Sequence, residues 1–180
     1  PCPSSLVPKL MIFYLLIVVA FGAALFYISS RVKKAAQLAF ESETIETDEF
    51  VIVKPEGFIN PINTESGFAF EAYSKDFGTG ENAENLRQAE IFVSVFDNKS
   101  FNAICEEAKK TGEILPESDG KICLIKSEET LENVSAYKFY KIIGSENNQK
   151  VYELKISVLQ DFLAEYQNRI DETLESFRLK

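Results

Sequence analysis

A chain of 180 residues, with 28 acidic against 19 basic side chains and neither His nor Trp, is long enough for one real core. It lacks the imidazole that Ser-His-Asp, Cys-His and two-His zinc sites require. Residues 1–34 carry four basic side chains (Lys9, Arg31, Lys33, Lys34) and no acid, leaving 15 basic and all 28 acidic residues, a net of −13, for the remainder. A surface of that sign repels phosphate backbones, so no nucleic-acid partner is expected.

The chain opens Pro1-Cys2-Pro3, as expected of a fragment or a processed product, and residues 1–9 are read as an N-terminal tail. Cys2 precedes the apolar run, whereas the lipid-attached cysteine of bacterial lipoproteins follows one. Leu10 to Ile28 reads LMIFYLLIVVAFGAALFYI, without charge, Pro or strongly polar side chain. As a helix it spans roughly 28 Å, about the hydrocarbon thickness of a bilayer, where a single segment satisfies its backbone only as a helix. Residues 10–30 are therefore expected to be a transmembrane helix, with the membrane as a partner through Leu10 to Ile28. Ala20-Phe21-Gly22 and Gly22-Ala23-Ala24 offer signal-peptide cleavage spacing, but the run outlasts the roughly 7–15 residues of a signal core, which favours an uncleaved signal-anchor. Residues 31–47, with AAQLAF followed by ESETIETDE, read as a linker, and the folded domain is placed at residues 48–180.

Phe50-Val51-Ile52-Val53 is a short β-branched strand ended by Pro55 and Gly57. The stretch EGFINPINTESG is turn-rich, and residues 67–73 alternate, with Phe68, Phe70 and Ala72 expected on one face. Residues 78–88 form a polar loop. Ala89 to Phe96 is apolar enough for a strand that is central or buried on both faces. Asn98 or Ser100 can cap a helix over 101–111, whose Phe101, Ile104, Cys105 and Ala108 share one side and which Gly112 stops. The turn-rich link Glu117-Ser118-Asp119-Gly120 leads to a strand over 121–127. Strands over 135–144 and 150–159, joined by the polar stretch 145–149, form an antiparallel hairpin. In the second of these Tyr152, Leu154, Ile156 and Val158 share one face, and Val151, Glu153, Lys155 and Ser157 the other. A helix over 161–177 presents Leu163, Tyr166, Ile170, Leu174 and Phe177 to the sheet. The fold class is α+β, an antiparallel β-sheet with packed helices after an N-terminal transmembrane helix.

Gly67-Phe68-Ala69-Phe70-Glu71-Ala72-Tyr73-Ser74-Lys75-Asp76-Phe77 is similar to the G-F-x-F-x-Y-P-x-D-W opening of PsbP-like domains. It differs by one extra residue near Ala72, by Ser74 in place of Pro and by Phe77 in place of Trp. Residues 171–179, DETLESFRL, resemble the closing I-L-x-S-F-x-F of those domains. The resemblance covers residues 48–180. It implies an αβα-type sandwich around an antiparallel sheet, in a domain that usually lies outside the cytoplasm and brings no catalytic residues.

Few residues point to chemistry. Cys105 and Cys123 are read either as a disulfide in an oxidising compartment or as two buried thiols, and their spacing fits no zinc site. The pairs Glu106-Glu107 and Glu128-Glu129 read as solvated faces and Gly78-Thr79-Gly80 as a turn. Asp119-Gly120 and Asp97-Asn98 lack the calcium-loop pattern, and the glycosylation triplets at Asn98 and Asn133 are of the kind that arises by chance. Tyr137, Phe139, Tyr140 and Tyr152 are a cluster that could line a pocket, though a sheet and a helix bury such aromatics as core. No catalytic, cofactor-binding or metal-binding residue is assigned, and no cofactor is expected.

The sequence thus predicts a single-pass protein of the bacterial cell membrane, with an extracytoplasmic accessory or binding domain that is not an enzyme. A protein partner at the envelope is expected at an exposed sheet edge or the 78–88 loop. The alternative is a small-ligand or enzymatic domain using a pocket beneath the sheet, for which Glu71, Lys138, Lys141, Glu153 and Lys155 are the available polar groups. Basic residues after the anchor, read by the positive-inside rule, point instead to a cytoplasmic domain.

Overall fold

The computed structural model describes residues 6–61, 66–116, 118, 120–145 and 149–180 and divides into two compact units, Pro1–Ala39 and Phe40–Lys180. Cys2, Glu117, Asp119 and parts of the expected turns at 56–67 and 145–149 lie outside the described residues.

The first unit is one helix, α1 (Leu6–Ala39), of which Phe13–Ala39 is long and apolar enough to cross a membrane. It outruns the expected 10–30 because Ala35, Ala36, Gln37 and Leu38 are strong helix formers with no Gly or Pro among them. The first half of the expected linker is therefore helical.

The second half of that linker is also folded. β1 (Glu43–Glu46) lies antiparallel to β2 (Phe50–Lys54), and β10 (Arg178–Leu179) pairs with the other edge of β2, making a three-stranded sheet. Lys54 explains why this acidic segment is held. It is 1% exposed, and its Nζ donates to Glu41 O at 2.6 Å and Phe58 O at 3.0 Å. Burial lowers its pKa, while the nearby Glu43 and Glu41 carboxylates oppose the shift. Gly57 N donates to Phe40 O at 2.7 Å, so the start of the unit is tied twice to the turn after β2.

The remaining strands are β3 (Phe58–Ile59), β4 (Phe70–Ser74), β5 (Ala89–Asp97), β6 (Gly112–Ile114), β7 (Ile122–Leu131), β8 (Val134–Gly144) and β9 (Lys150–Leu159). They form a seven-stranded antiparallel sheet in the order β3-β4-β5-β9-β8-β7-β6. α2 (Phe101–Lys109) and α3 (Leu163–Ser176), the latter after a 3-10 turn at Gln160–Phe162, match the two expected soluble helices. Ser100 occupies the N-cap of α2 without a side-chain cap bond, and Gly112 opens β6 in place of merely ending the helix. This is the α+β fold that the sequence predicts.

The alternation within each strand sorts the core. Phe70, Ala72, Ile91, Val93, Tyr152, Leu154 and Ile156 point to one face and pack with Tyr166, Ile170 and Phe177 from the C-terminal segment and with Phe50 and Ile52 of β2. Phe50 and Phe177 meet edge to face at 5.8 Å. Fully burying an aliphatic or Phe side chain of this kind contributes about 1.5–3 kcal/mol relative to leaving it exposed. On the opposite face α2 covers one end of the sheet, where Ile104 and Cys105 meet Cys123, Ile125, Ile142 and Val151. β5 is thus a central strand, buried on one face at Ala89, Ile91 and Val93 and half-buried on the other, where Glu90, Phe92 and Ser94 alternate with them outside the cluster under α2.

Candidate functional site: the open face of the sheet

Register places a set of polar and aromatic side chains on the face that α2 only partly covers. Tyr73 pairs with Glu90, which lies beside Ser157, Lys138 and Ser127 in successive strands. One step along, Glu71, Phe92, Lys155 and Tyr140 are aligned, and beyond them Ser94, Glu153 and Ile142. Phe68 is 39% exposed and rests on Phe92 with ring centroids 4.6 Å apart, while Tyr73 meets Phe92 edge-on at 5.7 Å. Lys155 Nζ lies 5.1 Å from the Phe92 ring centroid, within cation–π range.

The electrostatics of this face reflect partial burial. Desolvation raises the pKa of Glu90, although Lys155, Arg87 and Lys138 pull it back. Burial, opposed chiefly by Lys155, likewise raises Glu153. Burial and then the neighbouring Lys155 lower Lys138, which also pairs with Glu129. Tyr73 donates from Oη to Glu71 Oε2 at 3.0 Å, and burial first, then that bond, pushes its pKa up to about 12. Charges held half out of water beside aromatic rings gain more from an incoming partner of opposite sign than solvated charges do. Where α2 meets the sheet, a cleft of about 380 Å³ continues this face, lined by Phe96, Lys99, Ile104, Glu107, Tyr140 and Glu153.

Four of the five polar residues expected of a pocket, Glu71, Lys138, Glu153 and Lys155, meet on this face. Lys141 does not. It points to the opposite face, donates to Leu174 O at 2.6 Å, and has its pKa lowered by burial. A second cleft of about 520 Å³ lies there, between Leu115, Ile122, Leu124, Lys141 and Leu174. The expected aromatic cluster is split, with Phe139 and Tyr152 buried in the main core and Tyr140 on the α2 side, since neighbouring positions of a strand face opposite ways. Phe68 also departs from expectation. β4 begins only at Phe70, after Gly67 at φ 74, so the alternation does not extend back to Phe68.

The 78–88 loop is packed against the domain. Ala83 is buried with Ala136 and Leu159, with Leu86 against them. Arg87 lies 3.8 Å over the Phe77 ring and donates to the carbonyls of Ser74 and Lys75. The sheet edges are the two-residue β3 and the three-residue β6, beyond which Glu128 and Glu129 of β7 are exposed. Glu106 pairs with Lys109 at 2.8 Å, and Asp97 lies 3.8 Å from Lys150. Among the described residues no three Cys, Asp or Glu side chains come together in a way that could hold a metal.

The parts of this site missed by sequence reasoning are Phe68, Tyr73, Glu90 and Phe92. Glu90 and Ser94 inside an otherwise apolar run were the available signal of a half-covered face.

No family model and no curated protein sequence matches the chain. Its fold is similar to that of the Saccharomyces cerevisiae Ran-binding protein Mog1p, at 11% identity and a TM-score of 0.52, over 78% of this chain and 96% of that one. It is also similar to LpqN, involved in cell envelope biogenesis of Mycobacterium tuberculosis, at 8% identity and a TM-score of 0.50, over 78% of this chain and 91% of that one. At such identities the likeness is one of fold. The cyanobacterial PsbP of Synechocystis also matches, at 9% identity over 78% of this chain and 92% of that one, with a looser TM-score of 0.39. Against a Bacteroides thetaiotaomicron structure, 13% identical over 73% of this chain with a TM-score of 0.46, the chain spans 45% of that chain's length.

Proposed function

We propose that this is a single-pass membrane protein of a bacterial envelope, whose PsbP-like domain lies outside the cytoplasm and binds a basic protein surface as an accessory module, without catalysis of its own. The observation that carries this reading is the open sheet face, where the half-buried Glu90 and Glu153 and the buried Glu71 sit beside Phe92 and the exposed Phe68. The net of −13 on residues 35–180 favours a basic partner and speeds its approach. α1 supplies the tether. Two proteins of similar fold lend support through what they are named for, Mog1p for binding another protein and LpqN for the cell envelope. The PsbP-like reading of the domain rests on its end motifs, and the extracytoplasmic side rests on that reading.

The test is a photo-crosslinking amino acid at Phe68, with one at the exposed Glu172 of α3 as control, in membranes of the native host. A discrete adduct from position 68 that is lost in the Glu90→Lys/Glu153→Lys variant supports the reading. Identical patterns from both positions sink it. Protease added to intact spheroplasts should cleave the domain, and full protection would overturn the assigned side.

A further inference from the structure

Cys105 and Cys123 come from different elements, yet both are buried in the one small apolar cluster that fills the seam between α2 and β7. Both are free thiols, 3% and 4% exposed, in the small cluster formed with Ile104, Ile125, Ile142 and Val151. Each alone fills the place of a small apolar residue. Two such residues among the six of one buried cluster, one from each of the elements that meet there, point further in a domain proposed to lie outside the cytoplasm. We infer that Cys105 and Cys123 are a disulfide site that staples α2 to β7 when the domain folds in an oxidising compartment. This rests on the extracytoplasmic reading for its setting, though not for its geometry.

The chemistry is thiol–disulfide exchange with a small-molecule or protein disulfide as oxidant. One thiolate attacks the oxidant and expels a thiol, leaving a mixed disulfide, and the second thiolate then displaces the other thiol. The S–H bonds of Cys105 and Cys123 are lost and one S–S bond forms. Two protons and two electrons pass to the oxidant, which leaves as two thiols. In the folded domain burial, with the neighbouring Cys123 thiol, pushes the Cys105 pKa up to about 12, so thiolate is scarce and exchange is slow. With both thiols 3% and 4% exposed once the domain is folded, the oxidant reaches them during folding, as the seam between α2 and β7 closes. Once made, it holds the helix that forms one wall of the cleft at Glu153 and Tyr140.

The experiment uses the full chain in detergent with Cys2→Ser, reduced, unfolded and refolded in a mixture of reduced and oxidised glutathione. The expected result is loss of both free thiols, a cross-linked peptide containing Cys105 and Cys123, and slower amide exchange over 101–109 than in the reduced protein. Refolding to the native fold with both thiols free, or with each capped by glutathione, overturns the inference. In a second arm, host cells are quenched in acid, denatured and alkylated with a mass-tagged maleimide. Cys2→Ser protein expressed in the host that carries no tagged thiol until reductant is added agrees with the site being filled in the cell. If the bond forms in vitro while cellular thiols stay reduced, the extracytoplasmic reading fails and the pairing stands.

Discussion

The Tyr166 hydroxyl donates to Gln88 Oε1 at 3.0 Å in the buried interior, while Gln88 Nε2 donates to Phe77 O at 2.8 Å. This relay joins α3 to both ends of the 78–88 loop, because Gly78 N also bonds to Leu86 O at 2.8 Å. The loop is thereby anchored to the core at Gly78, Ala83 and Gln88, while Thr79 to Asn82, Glu84 and Asn85 stay exposed.

Tyr166→Phe should therefore lower stability by about 1–2 kcal/mol, since it keeps the ring but leaves a buried amide oxygen without its donor. Urea unfolding measures this, and limited proteolysis should show earlier cleavage within residues 78–88. An unchanged midpoint would mean that the bond contributes nothing net.

The half-buried Glu90 and Glu153 predict a particular pH response. Their folded pKa values are raised above 4.5, first by burial, so their contribution to stability is complete below that pH and is lost as pH rises through the raised values. Glu90→Gln/Glu153→Gln should lose less stability than the parent between pH 4.5 and neutrality. Urea midpoints of the two proteins across that interval decide the matter, since all other carboxylates are common to both. Parallel curves would show that these two carboxyls titrate as they do in the unfolded chain.

Leu131 pairs with Val134, so Glu132 and Asn133 form a two-residue hairpin turn with φ of 46 and 68. This is the turn that matches the twist of the flanking strands, and Asn tolerates it far better than Glu does. Glu132→Gly should stabilise the domain by about 0.5–1 kcal/mol, and Asn133→Ala should destabilise it by about 1 kcal/mol. Thermal melts of the two variants should shift in opposite directions.

Gly112 sits where a Cβ would come within 2.6 Å of both Ile125 Cγ2 and Lys126 O. The backbone oxygen cannot yield as a side chain can, so Gly112→Ala should cost about 1–3 kcal/mol and loosen β6 from β7. Hydrogen exchange at Gly112 and Ile114, compared between the two proteins, reports on that pairing.

Local patterns carried far in this chain. The period-two alternation of residues 150–159 and the 3, 4, 4, 3 stepping from Leu163 to Phe177 are written in the side chains themselves, and they suffice for an antiparallel sheet with a helix on it. The uncharged run from Leu10 to Ile28 likewise determines a helix fit for a membrane, because length and polarity alone set that requirement. What covers each face was settled only by the tertiary structure. Alternation shows that Glu90, Glu153 and Lys155 are outward, but only the tertiary structure shows that the short α2 reaches no farther than the Glu153 end and leaves the three on one half-covered surface. It shows that Tyr137 and Lys138 diverge, but not that Lys141 ends beneath α3 while Lys138 stands beside Glu90. β1 and β10 have almost no signal of their own, and they are strands because both edges of β2 present backbone groups to be paired. The gathering of Cys105 and Cys123 into one buried cluster belongs to the same class, since which side chains come together across elements depends on how those elements pack, and spacing along the chain does not encode it.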